Sequence, residues 1–323
     1  MSDGTRELTY LNAIVEAQRE EMLHDESVIL IGENIDIYGG APLFDSFDEK
    51  RLRCVPISEN GFSGMGIGAA LTGLRPIVDL TIASFVYLAS DQIINQAAKL
   101  RYMTGGQLAV PIVFRACTYY GIGNAAQHSD RPYPFFMNVP GLKIVAPATP
   151  GDMKGLMKSA IRDDDPVIVF EDIHLWTKKE KVSMDKDFLI PIGQADVKQV
   201  GTDVTVVSIA GCLPDVLAGA AALAQEGISA EVIDLRTIVP MDKETILHSV
   251  AKTHRLVVVD NAHHTGSVAS EVAAVVSEEG FESLRKPIQR VATPDVNIPY
   301  SRALESGLYP AKERIVAAVK RIL

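Results

Sequence analysis

The sequence predicts an α/β protein of two domains, each a mostly parallel sheet flanked by helices. Short apolar runs rich in Val and Ile alternate with amphipathic stretches along almost the whole chain, as expected of strands covered on both faces. The alternation pauses once, in the polar, lysine-rich text between Asp172 and Asp203, and then resumes. A length of 323 residues suits two domains, and the pause places their boundary near residue 185, giving residues 1–185 and 186–323.

The elements follow in order. Thr9 is a fitting cap for a first helix on which Leu11, Ile14, Val15, Gln18 and Met22 share one face. "SVILIGENI" reads as a buried strand, as does "GLRPIVDLTI". "SDQIINQAAKLRYMTGG" reads as a helix capped by Ser90 and stopped at Gly105. "VPIVFRAC" and "LKIVAPA" read as strands, "TPGDMKGLMKSAIRDD" as a helix and "PVIVFED" as a further strand. Beyond the pause come "DVTVVSIAG", a helix from Pro214, "AEVIDLRTIVP", "HRLVVVDNAH", a helix from Ser267, "IQRVATPDV" and a last helix from Ala311.

Composition narrows the class of function. The net charge is −10, and the longest run of one sign is the three acids Asp163, Asp164 and Asp165, so no basic face exists to follow a nucleic-acid backbone. Cys54, Cys117 and Cys212 lie far apart without metal-type spacing, which suits free thiols in a reducing compartment and makes the cytoplasm the expected location. The opening residues lack the basic start and apolar core of a signal peptide, and no window approaches 18 uninterrupted apolar residues, so no membrane association is expected.

Ligands of such sheets sit beyond the carboxyl ends of the strands, which directs attention to the loops after Ile31, Val55, Ile82, Arg115 and Val259. Glu59, in "VPISENGFSGMGIGAAL", opens a run whose glycines allow a helix to pack closely on a neighbour or a flat ring. A partly desolvated acid there would exchange protons near neutrality; the plainer reading is a carboxylate that caps the helix. His128, in the glycine-rich loop "GIGNAAQHSD", titrates in the right range to move a proton, although a lone histidine is more often a structural hydrogen-bonding residue. The glycines of "GFSGMGIGAA" resemble a dinucleotide fingerprint only loosely, because no ribose-binding acid follows at the required distance.

At "PISENGFSGMGIGAALTGLRPIVDL", "SDQIINQAAKLRYMTGGQLAVPIVFR", "AAQHS", "VPGLKIVAPATPGDMKGLMKSAIRDDDPVIVFED" and "IPYS", the chain closely resembles the beta subunit of thiamine-diphosphate-dependent 2-oxo acid dehydrogenases, the pyruvate, branched-chain and acetoin type related to transketolases. The resemblance spans nearly the whole length. It implies a pyrimidine-binding domain followed by a transketolase C-terminal-like domain. Glu59 matches the glutamate that hydrogen-bonds the 1′ nitrogen of the cofactor's aminopyrimidine, favouring the imino tautomer that removes the thiazolium C2 proton. Phe85 matches the aromatic packed on that ring, with core packing as its plain alternative, and Ile57 is placed to line the same slot. His128 matches the histidine that faces the substrate, and Glu33 an acid near the subunit interface that relays protons. Ile112, Ala160, Asp163 and Asp165 match positions that bind a structural potassium ion in some members; a solvated helix end explains the same residues equally well.

No GDG followed some 30 residues later by asparagine is present, the motif that holds Mg2+ and the diphosphate. In this family it lies on the alpha subunit, so the resemblance implies an alpha2 beta2 heterotetramer that shares the cofactor and works with a lipoyl acyltransferase. The loop between Glu33 and Glu59 is a few residues shorter than is usual in the family, and "QHSDRPYPFFMNVPGL" departs from the family at Asp130, Arg131, Pro132 and Tyr133. Arg131 and Tyr133 are therefore candidates for contact with the substrate, a guanidinium being suited to a carboxylate. "DNAHHTGSVASE" departs as well, through Asn261 and His264. The expected activity is decarboxylation of a 2-oxo acid with acyl transfer to a lipoyl domain. Two other readings are a two-subunit carboligase or transketolase-like enzyme that uses an aldehyde acceptor, and a noncatalytic assembly partner.

Overall fold

The computed structural model describes residues 4–323. They form two compact units: residues 4–119 with 135–192, and residues 120–134 with 193–323.

The chain begins with β1 (Thr5–Thr9) and α1 (Tyr10–His24), where the Thr9 hydroxyl accepts the Asn12 N–H at 3.1 Å and caps the helix. Next come β2 (Val28–Gly32), β3 (Leu52–Cys54), α2 (Glu59–Leu71) and β4 (Arg75–Ile82). The expected helix after Ser90 is present but not uniform: Gln92–Ala97 is wound in wide π turns that run into α3 (Ala98–Met103). After β5 (Val113–Thr118) the chain enters the second unit through the single turns α4 (Ala125–His128) and α5 (Tyr133–Phe136). It returns with β6 (Lys143–Val145), α6 (Pro150–Arg162), β7 (Val167–Asp172) and β8 (Lys179–Ser183).

Six strands of the first unit lie in the order β6-β7-β5-β4-β2-β3, all parallel. Nearly every residue of β2, β4, β5 and β7 is buried, which is why their texts read as continuous apolar runs. Helix α2 lies close on this sheet because of Gly66, whose added Cβ would stand 2.6 Å from Val78 Cγ2. Helix α1 packs on α6 through two buried lysines: Lys154 Nζ lies 2.7 Å from Glu16, and Lys158 Nζ lies 2.7 Å from Glu20.

The polar stretch after Asp172 holds a strand that period-based reading passes over. β8 pairs antiparallel with β1 as a separate two-stranded sheet, with largely exposed, lysine-rich faces. The first unit continues to Ile192, past the change expected at residue 185, because the chain after β8 still covers α6. The Ser159 hydroxyl donates to Ile190 O at 2.7 Å, and a Cβ on Gly155 would meet Ile190 Cγ1 at 2.6 Å.

The second unit contains β9 (Asp196–Gln199), β10 (Val204–Ser208), α7 (Leu213–Gln225), β11 (Ala230–Asp234), the short β12 (Thr237–Val239), α8 (Lys243–Thr253), β13 (Leu256–His263), α9 (Val268–Glu279), β14 (Gln289–Thr293), α10 (Arg302–Glu305) and α11 (Lys312–Lys320). Its sheet runs β14-β13-β10-β11-β9, parallel except for the β11–β9 pair. Ser267 caps α9 by accepting the Ser270 N–H, as its position in the sequence predicts. Among the described residues no helix is long and apolar enough to cross a membrane.

Candidate active site

At the carboxyl ends of β2 and β4 the first unit gathers acids. Gly32 pairs with Asp79, and the strands approach so closely that a Cβ on Gly32 would lie 2.8 Å from Asp79 O. Glu33 follows at once and is 4% exposed, with Oε2 buried and without a hydrogen-bond partner among the described residues. Burial pushes its carboxyl above the ordinary range, and the charges of Glu59 and Asp79 push it further.

Glu59 is the first residue of α2 and is 6% exposed. The capping position belongs to Ser58, whose side chain makes no cap bond, and among the described residues no donor reaches the Glu59 carboxylate. The helix-cap reading therefore does not account for Glu59. The Glu59 oxygens take no donor from the described residues, which leaves them open to the hydrogen-bonding ring nitrogen of a ligand. Phe85, half-buried, follows β4 in the turn Ala83–Tyr87. Ile57 precedes α2 and is 75% exposed, so its side chain is open for contact and contributes nothing to the core of this unit.

Beneath the acids lies a group that sequence reasoning did not single out. Arg115, on β5, stands between Asp79 on β4 and Glu171 on β7, all of them buried. Its Nη1 donates to Asp79 Oδ2 at 2.7 Å, its Nε donates to Glu171 Oε1, and Trp176 Nε1 donates to Glu171 Oε2 at 3.3 Å. Asp79 Oδ1 accepts the N–H of Thr81, which holds a left-handed φ of 61°. Burial opposes the charge on Arg115, but Asp79 and Glu171 outweigh it and hold the guanidinium firmly charged. The available signal was a charge inside each apolar strand, in "IVDL", "IVFRAC" and "VIVFED", since a charge buried in a two-sided sheet must be paired.

The residues expected to hold potassium meet at one place but already have partners. Asp163 receives Lys143 Nζ at 2.7 Å; Asp165 receives the same ammonium at 3.4 Å and Arg101 at 2.5 Å. Ile112 O accepts the Val167 N–H at 3.0 Å, and Ala160 O accepts the Asp163 N–H at 3.3 Å. The chain itself supplies the cations that balance both carboxylates.

In the second unit, the loop bearing His128 is fastened by groups far away in sequence. The N–H groups of Gly121 and Gly123 donate to the two oxygens of buried Glu305, at 2.6 and 2.9 Å, and both glycines have the positive φ this requires. His128 ends α4 and is half-buried.

Arg131 and Tyr133, expected to contact substrate, are instead 5% and 0% exposed. The Tyr133 hydroxyl donates to Asp260 Oδ1 at 2.5 Å, with Asn261 Oδ1 2.7 Å away. Arg131 Nε donates to Asn261 O at 2.8 Å, and its guanidinium carbon lies 5.5 and 5.2 Å from the ring centres of Tyr120 and Tyr309. Burial leads the upward shift of both the Tyr133 phenol and the Asp260 carboxyl; their mutual hydrogen bond raises the first further and opposes the second. Arg131 and Tyr133 thus both bind Asn261, so the two stretches expected to depart from the family pattern meet in one contact.

Comparison with known proteins identifies the family and the fold. Residues 6–176 match the transketolase pyrimidine binding domain, and residues 193–315 match the transketolase C-terminal domain. The chain is 42% identical over 327 residues to the mitochondrial pyruvate dehydrogenase E1 component subunit beta of Dictyostelium discoideum, covering 99% of this chain and 92% of that one. It is 41% identical over 322 residues to the 2-oxoisovalerate dehydrogenase subunit beta of Bacillus subtilis, covering 98% of each. A split-gene transketolase solved as an inactive beta4 tetramer shares the fold, with a TM-score of 0.80 at 22% identity over 98% of both chains. By sequence over nearly its whole length, and by the two domains that the fold displays, the chain belongs to the family of 2-oxo acid dehydrogenase beta subunits.

Proposed function

We propose that this chain is the beta subunit of a thiamine-diphosphate-dependent 2-oxo acid dehydrogenase, which decarboxylates a 2-oxo acid and passes the acyl group to a lipoyl domain. The observation that carries this reading is Glu59: a buried residue at the start of α2, beside Glu33, whose carboxylate takes no donor among the described residues. When bound, thiamine diphosphate supplies the carbon that adds to the keto group and accepts the electrons released as carbon dioxide leaves.

This chain's part is to hold the pyrimidine end. The Glu59 carboxyl would take the ring-nitrogen hydrogen bond and so hold a proton at that nitrogen. Glu33, whose proton is held more tightly than an ordinary carboxyl's, is the neighbouring proton store. Phe85 and Ile57 supply apolar contact to the ring. His128, on a loop fixed by Glu305, is the proton donor facing the substrate.

Two further parts complete the reading. Mg2+ and the diphosphate are held by an alpha subunit, in an alpha2 beta2 assembly that works with a lipoyl acyltransferase. A potassium ion at Ile112, Ala160, Asp163 and Asp165 would draw mainly on carbonyl oxygens, because Lys143 and Arg101 already balance the carboxylates.

The test is reconstitution with the alpha subunit, measuring carbon dioxide release from pyruvate and from branched 2-oxo acids. Glu59→Gln should lower kcat by roughly 10²–10⁴-fold, the usual contribution of a positioned acid or base, and should leave assembly intact. Full activity in that variant would remove Glu59 from the chemistry and leave the assembly-partner reading in its place.

A further inference from the structure

The second unit carries a positively charged concavity that the proposed chemistry does not use. It has a volume of about 420 Å³ and lies outside β14, the last strand of its sheet, with His264, Arg290, Asp295, Gly307 and Arg314 on its walls. Pockets that hold small molecules run from roughly 300 to 1,000 Å³.

Both guanidiniums are fixed without an acid. Arg290 Nη1 donates to Ser270 Oγ at 2.6 Å and to His264 O at 2.9 Å. Arg314 Nη1 donates to Leu308 O and Tyr309 O, and its Nη2 donates at 2.7 Å to Ala292 O, a carbonyl of the unpaired edge of β14. These bonds set the two planes rigidly and leave Nε of each, and Nη2 of Arg290, unused among the described residues. Burial holds the Arg314 guanidinium below its ordinary range, with no neighbouring charge to offset it.

Among the described residues the one acid on the wall is Asp295, which accepts the N–H and hydroxyl of Thr265 at 3.0 and 2.7 Å, bonds that hold its carboxyl below the ordinary range with smaller contributions from His263 and His264; neither arginine is paired with it. On a chain of net charge −10, two uncompensated arginines and an imidazole facing one hollow stand against the general field. A desolvated cation without a counter-ion is a cost that a bound anion removes.

We infer that this hollow binds a phosphate group, either the free ion or the phosphate of a small metabolite, through Arg290, Arg314 and His264. Two guanidinium planes anchored on different elements, with a histidine as third donor, suit a tetrahedral dianion better than a flat carboxylate.

Isothermal titration with sodium phosphate tests this on the full chain with its copurified partner, saturated with thiamine diphosphate and Mg2+ so that phosphate cannot act through the cofactor site. Sodium chloride at equal ionic strength is the control. The expected result is saturable binding that weakens about tenfold in Arg290→Gln and is lost in Arg290→Gln combined with His264→Gln; both positions are partly exposed and outside the core. Glycerol 3-phosphate binding more tightly than phosphate identifies an organic ester as the ligand, and equal or weaker binding identifies the free ion. Absence of saturable binding, or unchanged affinity in the folded double variant, overturns the inference.

Discussion

Arg115 Nη1 lies 2.7 Å from Asp79 Oδ2 in the interior of the first sheet, with each side chain 4% exposed. On its other side the same guanidinium meets Glu171, whose side chain is fully buried. One cation thus serves two carboxylates on the strands flanking its own, and one of them, Asp79, pairs across the sheet with Gly32, the residue before Glu33. The arrangement fixes the negative charge that Glu33 senses, and so connects the packing of the sheet to the chemistry at its end.

Arg115→Met should therefore be among the most damaging single changes in the first unit. It leaves two carboxylates buried without a counter-charge, and breaking a buried pair in this way costs about 3–5 kcal/mol. Urea unfolding should show that loss, and Arg115→Met combined with Asp79→Asn and Glu171→Gln should recover most of it. A single variant as stable as the parent would mean that water reaches the cluster.

Glu33 gives a prediction in pH. Its folded carboxyl is raised above the ordinary value of 4.5, so its favourable contribution is complete below that value and disappears as pH rises through the folded pKa. Above that window the ionised, unpartnered Glu33 is a burden. Glu33→Gln should then raise Tm at about pH 8 and leave it nearly unchanged at about pH 4. A stabilisation of equal size at both would show that the amide acts by packing and not by removing charge.

The glycines of α2 separate into two kinds. A methyl on Gly66 would meet Val78 Cγ2 at 2.6 Å and Ile112 Cδ1 at 3.2 Å, whereas one on Gly68 would meet nothing within 4 Å. Gly66→Ala should cost about 1–3 kcal/mol through overpacking, with Val78→Ala relieving it. Gly68→Ala in the isolated chain should gain roughly 0.5–1 kcal/mol from helix propensity. Chemical denaturation of the two variants side by side checks both signs.

Much of this was legible in the sequence. Except for the short β3, the parallel strands of both units stand where apolar runs predicted them, because strands buried on two faces carry few polar residues to blur the signal. Thr9, Thr149 and Ser267 cap the expected helices through short local bonds, which sequence spacing determines. Local pattern does not reach the pairing of β1 with β8, since an exposed antiparallel ribbon of lysines and glutamates has no apolar period. Nor does it reach Glu305 beneath the Gly121–Gly123 loop, a contact that joins residues more than 180 positions apart. Glu59 and Glu33 could be named from the sequence; that Arg131 faces inward required the partners on β13.

Those partners lead to the remaining prediction. Arg131 and Tyr133 hold Asn261 and Asp260 with buried hydrogen bonds, so their loss should act on the stability of the second unit and not on substrate affinity. Removing a buried hydrogen bond to a charged group costs roughly 1.5–3 kcal/mol, which sets the scale for Tyr133→Phe and a lower bound for Arg131→Ala. In the reconstituted complex, at a temperature where both variants remain folded, KM for the 2-oxo acid should match that of the parent while urea midpoints fall. A rise in KM for Arg131→Ala without any loss of stability would return the guanidinium to the substrate, and would require the loop from Tyr120 to Pro134 to leave its seat against β13 during the reaction.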